Sequence, residues 1–351
     1  MIFTSDNASP VHPQVLEALH GANQGFAMPY GADPLMDRVR ARLREIFEAP
    51  EAAVYLVATG TTANALSLAC LAAPWQTIYC HRDSHIQMDE CGAPEFYTGG
   101  AKLVLLDGAD AKVSPEALRA AVESTHQGFV HAVQRGAVSI TNATEAGAVY
   151  GPDEVAAISA VAREYGLPVH MDGARFANAL VSTGASPAEM TWKAGVDVLS
   201  FGGTKNGLMG VEAVVLFDPA RAWEFELRRK RAGHLFSKHR YLSAQMAAYL
   251  EGDLWLDMAR AANRAAARLS EGLLSVPGTA LVHPREANAV FAGWPRAGHR
   301  RAQEAGAAYY FWPDMNATLD GPDDEILSAR LVCSWCTTDA EIDRFVQLVR
   351  A

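Results

Sequence analysis

From about residue 35 to 218, short apolar runs alternate with stretches whose apolar positions recur every three or four residues. The second period is helical, and apolar runs of four to eight residues bounded by turn residues read as buried strands. "DPLMDRVRARLREIFE" therefore predicts a helix, "AAVYLVA" (52–58) a strand and "TTANALSLACLA" a helix. "TIYC" (77–80) and "AKLVLLD" (101–107) predict strands. "SPEALRAAVE" is a helix entered through Ser-Pro, and "GPDEVAAISAVAREYG" is a helix with proline at its start and glycine at its end. "GAVSIT" (136–141), "LPVHMD" (167–172), "VDVLSF" (196–201) and "EAVVLF" (212–217) predict strands, with "SPAEMTWKAG" a further helix. Strands alternating with helices give a largely parallel sheet covered on both faces, whose sites lie outside the strands' carboxyl ends.

Beyond about 240 the pattern changes. "LWLDMARAANRAAARLSEGLLS" is one long helix, followed by shorter strands ("ANAVFAGW", "ARLVCSW") and a closing helix, "DAEIDRFVQLVR". This predicts three parts: an N-terminal segment (1–34), a large domain (35–245) and a small α+β domain (246–351).

The chain has 351 residues, 50% of them hydrophobic and 20% charged, a globular balance with room for one large core and a smaller one. A formal net charge of −10 argues against a domain-wide nucleic-acid surface. No apolar run reaches bilayer length, and the N-terminus lacks a basic region followed by an apolar one, so no membrane association and no signal peptide are expected. Five cysteines, sparse and odd in number, suit a reduced, cytoplasmic protein. "CSWC" (333–336) fits a C-x-x-C template but leads into no helix cap, so packing thiols are expected there.

Three strand ends carry candidate chemistry. "VATGTTAN" (57–64) runs a strand into hydroxyls and a helix N-terminus, which suits a phosphate, although threonines there also simply cap helices. "VHMDGARFANAL" (169–180) ends a strand on Asp172, with Arg175 following; an ion pair or a cap would account for them equally well. "VLSFGGTKNGLMG" (198–210) delivers Lys205 to a glycine-rich turn, where desolvation would make its amine a nucleophile. A phosphate cradle, then an aspartate, then a lysine is the order expected for a pyridoxal 5′-phosphate (PLP) site. The G-x-G-x-x-G of a nicotinamide site is absent from "ATGTTAN".

At this point the chain resembles the L-threonine aldolases, in their low-specificity, phenylserine-cleaving branch. The matching pieces are "SDNASP" (5–10), "YGADP" (30–34), "TGTTAN" (59–64), "SH" and "DECGAP" (84–94), "NATEAG" (142–147), "HMDGARFANA" (170–179), "TKNG" (204–207) and "ARLV" (329–332). One departure is the tail "KNGLMGVEAVV", where many family members have G-L-G-x-P-x-G after the lysine.

The resemblance implies a fold type I PLP enzyme, like aspartate aminotransferase, with a large, mostly parallel seven-stranded sheet and a small α+β C-terminal domain. It implies cleavage of L-threonine, L-allo-threonine and related β-hydroxy-α-amino acids to glycine and an aldehyde, with PLP bound covalently to Lys205 as an internal aldimine. Alternatives on the same fold are a β-eliminating lyase, a racemase or an aminotransferase, and a PLP-binding scaffold without turnover. Asp172 would pair with the pyridine nitrogen, and Arg175 would lie near the cofactor's 3′-oxygen and the substrate carboxylate. Gly60 and Thr61 would cradle the phosphate, with a hydroxyl added by Thr204. His85 would stack on the ring near the substrate hydroxyl, with His131 close by; the proton acceptor is one of these histidines or a bound water. Ser5 and Arg330 would hold the substrate carboxylate, and Tyr30 would stand at a subunit boundary. Lys238 or Arg240, in the basic stretch 228–241, would reach the phosphate of a neighbouring subunit. A homodimer or homotetramer with shared sites follows, and no bound metal is implied.

Overall fold

The computed structural model describes residues 1–351. Seven strands form the large sheet: β1 (Ala53–Val57), β2 (Gln76–His81), β3 (Lys102–Leu106), β4 (Gln134–Thr141), β5 (Val169–Gly173), β6 (Val198–Phe201) and β7 (Glu212–Leu216). Their order is β1-β7-β6-β5-β4-β2-β3. β7 runs antiparallel to both its neighbours, while β6, β5, β4, β2 and β3 pair in parallel. All seven expected strands form. β4 to β7 are almost wholly buried, as near-continuous apolar runs require when helices cover both faces.

The helices that cover this sheet or connect its strands are α1 (Pro13–Ala22), α2 (Pro34–Ile46), α3 (Gly60–Leu71), α4 (His85–Met88), α5 (Ala93–Thr98), α6 (Pro115–Ser124), α7 (Pro152–Glu164), α8 (Phe176–Thr183), α9 (Ala222–Arg231) and α10 (Arg240–Tyr249). Several begin as the sequence dictates. α2, for example, starts with Pro34 after an Asp33 cap whose carboxylate accepts from Met36 N. The helix expected over "SPAEMTWKAG" does not form. Thr191 Oγ1 turns back to bond Pro187 O, and only a single 3-10 turn, Trp192–Ala194, is completed.

The small domain has four antiparallel strands: β8 (Ala280–Leu281), β9 (Ala289–Pro295), β10 (Tyr310–Phe311) and β11 (Ile326–Val332), ordered β10-β11-β9-β8. It is covered by α11 (Leu254–Leu274), α12 (Arg296–Glu304) and α13 (Asp339–Arg350). α11 carries both cores. Trp255, Met258 and Ala259 pack in the large one, and Ala265, Ala266, Leu269 and Leu273 in the small one. The expected boundary at 246 thus falls inside α10, and the two cores divide along α11. The N-terminal segment joins both bodies: Phe3 packs in the small core, and α1 lies on α10. No helix is long and apolar enough to cross a membrane.

Candidate active site

The antiparallel β7 determines what meets at one edge of the large sheet. The carboxyl ends of β1, β2, β4, β5 and β6 point the same way, and β7 begins there, Glu212 lying opposite Val57 at the end of β1. Thr59–Thr61 follow β1, His85 follows β2, Glu145 follows β4, Asp172 nearly ends β5 and Lys205 follows β6.

Asp172 is 3% exposed. Its Oδ1 accepts from Ala174 N (3.0 Å) and its Oδ2 from Asn64 Nδ2 (2.7 Å). Burial opposes its charge, but His85, Lys205, His170 and the Ala174 N–H together hold its carboxyl below the usual range. The same Asn64 amide donates to Glu90 Oε1 (2.8 Å), and Glu90 Oε1 also accepts from His85 Nδ1 (2.9 Å). The nearest heteroatoms of His85, Glu90 and Asp172 lie within 4.8 Å of one another. A carboxylate only accepts, so Nδ1 carries the proton and Nε2 of neutral His85 keeps a free lone pair. The Glu90 bond pushes the His85 pKa up, and burial pushes Glu90 up, so the pair retains a proton between them. His85 N donates to Glu145 Oε1 (2.7 Å). Burial raises the Glu145 carboxyl to about 7.

Lys205 lies in the 3-10 turn Thr204–Asn206. Burial, with Arg175 adding to it, lowers its pKa, so its amine is neutral more readily than that of a solvated lysine. The adjacent glycines serve the neighbouring backbone. A Cβ on Gly202 would collide with Ala174 O, and one on Gly203 would lie 2.6 Å from Val211 O.

Arg175 does not offer its whole fork to a ligand. Its Nε and Nη2 bond both oxygens of Asp6 (2.7 and 2.8 Å), a buried carboxylate that also accepts from Asn288 Nδ2. Ser5, next to it, caps the short turn Asp6–Ala8 by accepting from Asn7 N. Arg330, on β11, makes one long bond, to Thr4 O at 3.4 Å. Burial and the nearby Arg175 push its pKa down to about 10. Its guanidinium is therefore the less committed of the two cations facing the N-terminal segment.

Gly60 and Thr61 open α3. Thr59 caps the helix by accepting from Thr62 N, and the Thr62 hydroxyl lies 2.8 Å from His234 Nε2. Within this chain, His234 is thus the member of the basic stretch that reaches the helix start. Lys238 is exposed and lines a separate cavity of about 550 Å³ with Met209, Phe236 and Tyr241. Arg240 donates to Gly25 O.

Two expectations are corrected. His131 is exposed on the loop entering β4, at the strand's amino end; eight residues of strand, roughly 25 Å, separate it from the site edge. The Thr204 hydroxyl is turned to Val211 N and Glu212, not left free for a phosphate. Tyr30 is 47% exposed, beside Ser237 and Lys230, and lies outside the cluster around Lys205 and Asp172 within this chain. Asp6, Asn64, Glu90, Glu145, Glu212 and His234 were not singled out from sequence. Asp6, Asn64, Glu90 and Glu145 all lie inside the quoted motifs, so position beside a motif residue was the available signal.

A lysine, a charged aspartate and a histidine on a fixed tautomer, gathered at the sheet edge beside a capped helix start, invite comparison with known proteins. Residues 3–294 match the family model described as beta-eliminating lyase. The chain belongs to the beta-eliminating lyase family. Within that family it is 40% identical to the low-specificity L-threonine aldolase of Pseudomonas aeruginosa, over 99% of this chain and 96% of that protein. It is 39% identical to the enzyme of the same name from a Pseudomonas species, over 99% and 97%. A Leishmania major threonine aldolase structure superposes with a TM-score of 0.90 at 27% identity, covering 99% of this chain and 98% of that one. The fold is shared more widely: a Sphingomonas wittichii serine palmitoyltransferase superposes with a TM-score of 0.70 at 15% identity, covering 100% and 86%.

Proposed function

We propose that this beta-eliminating lyase family member is a PLP-dependent, low-specificity L-threonine aldolase that splits L-threonine, L-allo-threonine and phenylserine-type substrates into glycine and an aldehyde. The observation that carries this reading is the hydrogen-bonded chain that joins Asp172 through Asn64 and Glu90 to His85, near Lys205, in a protein 40% identical to an aldolase along nearly its whole length.

The residues fit PLP. Asp172 is negative, as a partner of a protonated pyridine nitrogen must be. Lys205 has a readily deprotonated amine, and we assign the covalent link to it. Gly60, Thr61 and the N–H groups of α3 form the phosphate end, with His234 alongside. Bound there, PLP supplies an electron sink for the pair of electrons left on Cα when Cα–Cβ breaks. Glu90 fixes the His85 ring so that Nε2 can accept the β-hydroxyl proton, with Glu145 anchoring the His85 backbone from below. Arg330, with Ser5 at its flank, binds the substrate carboxylate, and Arg175, fixed by Asp6, supplies positive charge beside it.

We further assign a cytoplasmic location and a homodimer or homotetramer. Exposed Phe26, Met28, Tyr30 and Phe236 provide apolar surface for a second copy, and Lys238 or Arg240 reaches the phosphate of a neighbouring subunit. Residues 1–34 close the site through Asp6, and the large and small bodies divide along α11.

The test is product analysis with L-threonine, L-allo-threonine and phenylserine. Glycine plus acetaldehyde or benzaldehyde is expected, and 2-oxobutyrate or phenylpyruvate with ammonia would instead make the protein a β-eliminating lyase. Lys205→Ala is expected to lose the yellow colour of the PLP-loaded protein together with turnover.

A further inference from the structure

Lys205 sits in a turn that carries no proline, so something else must fix its backbone. Three contacts do. Asn206 Nδ2 donates to Tyr249 Oη (2.8 Å) and Trp255 O (2.8 Å), and Tyr249 Oη donates to Gly202 O (3.1 Å). Val211 N donates to Thr204 Oγ1 (3.2 Å). Glu212 Oε2 accepts from Gly203 N at 2.5 Å, and Thr204 helps hold the same carboxyl charged. The ten-residue loop between β6 and β7 is thereby folded back onto its own exit strand.

Glu212 is 7% exposed; burial pushes its pKa up, and the Gly203 N–H and the charge of Lys205 push back. A carboxyl buried this deeply stays ionised only with donors and a counter-charge. Here the donors come from the lysine turn and the counter-charge is the lysine itself.

We propose that Glu212 is the positioning residue of Lys205, a carboxylate that braces the Gly203–Lys205 turn from the start of β7 and adds negative charge beside the lysine. The inference rests on the assignment of Lys205 as the covalent link. The other groups facing Lys205 are Arg175, which disfavours its charge, and Asp6 and Asp172, which favour it; the Tyr249 hydroxyl, bonded to Gly202 O, feels the Glu212 charge. Removing the Glu212 charge leaves Arg175 less opposed, so a proton on the lysine nitrogen becomes harder to keep.

The experiment is a pH titration of the visible absorbance of the PLP-loaded protein, which reads protonation of the Lys205–PLP adduct directly. In Glu212→Gln, which keeps an acceptor for Gly203 N and loses the charge, the midpoint falls relative to wild type. Glu212→Asp keeps the charge, and its midpoint stays nearer wild type. Glu212→Met, which fills similar space without charge, also lowers the midpoint and decides the matter should the Gln variant not fold. An unmoved midpoint in Glu212→Gln, or in Glu212→Met where that variant must decide, overturns the proposal, as does an Asp midpoint displaced as far as the Gln one. A wild-type protein that forms no adduct, or a Lys205→Ala protein that still does, overturns the lysine assignment instead.

Discussion

Replacing Glu90 by glutamine keeps the shape of a wholly buried side chain and removes only its charge. Asn64 Nδ2 and His85 Nδ1 can still donate to an amide oxygen at the same place, so the His85 tautomer survives. What is lost is the charge-assisted part of the bond. A hydrogen bond to a charged group contributes about 1.5–3 kcal/mol and a neutral one about 0.5–1.5, so the difference is about 1 kcal/mol, or roughly fivefold in rate if it is felt fully in the transition state. The sign on pH follows from the same bond. The Glu90 bond is the main force raising the His85 pKa, so losing it lowers that pKa. Neutral His85 is the proton acceptor, so the acidic limb of kcat/KM moves to lower pH while the plateau falls by about fivefold. Phenylserine cleavage, followed by benzaldehyde absorbance across the acidic range, measures both quantities, and PLP absorbance checks that the cofactor is retained. A limb that does not move, with the plateau unchanged, refutes the assignment of His85 as proton acceptor through Glu90.

Arg330→Ala is expected to raise KM for L-threonine and to lower kcat/KM by about 10–100-fold, the loss of a charge-assisted carboxylate contact; an unchanged KM removes Arg330 from the substrate site. Asp6→Ala leaves the buried Arg175 guanidinium unpaired and is expected to destabilise the protein by about 3–5 kcal/mol in urea unfolding, with a loss below about 1 kcal/mol counting against that pair as a structural tie. Burial lowers His170, His239 and His299 to about 4, so the unfolded chain takes up their protons first and each costs up to about 2 kcal/mol as pH falls from 7 to 5. Glu145, raised by burial to about 7, works the other way and offsets part of this. The urea midpoint should therefore fall between pH 7 and pH 5, and a midpoint that holds or rises contradicts the neutral, buried state of these rings.

Local pattern determined the seven sheet strands, the long helix over 254–274 and the strand-end positions of Asp172 and Lys205, because burial on both faces and helical period are written into neighbouring residues. The motifs also marked the helix start at Gly60 and the arginine of β11. What pairs with what was decided only by the fold. Asn64 meets Asp172 across 108 residues, Arg175 meets Asp6 across 169, and Thr62 meets His234 across 172. No local signal encodes such distances; they follow from the crossover order that brings the ends of β1, β2, β4, β5 and β6 to one edge. The same order puts His131 at the opposite end of β4, although its sequence position beside a strand looked equivalent to that of His85. In the lysine turn, sequence supplied the residue types, while tertiary packing chose their directions. Thr204 and the glycines turn toward Glu212, Val211 and Ala174, because buried backbone N–H groups and a buried carboxyl must satisfy one another before anything is left for a ligand.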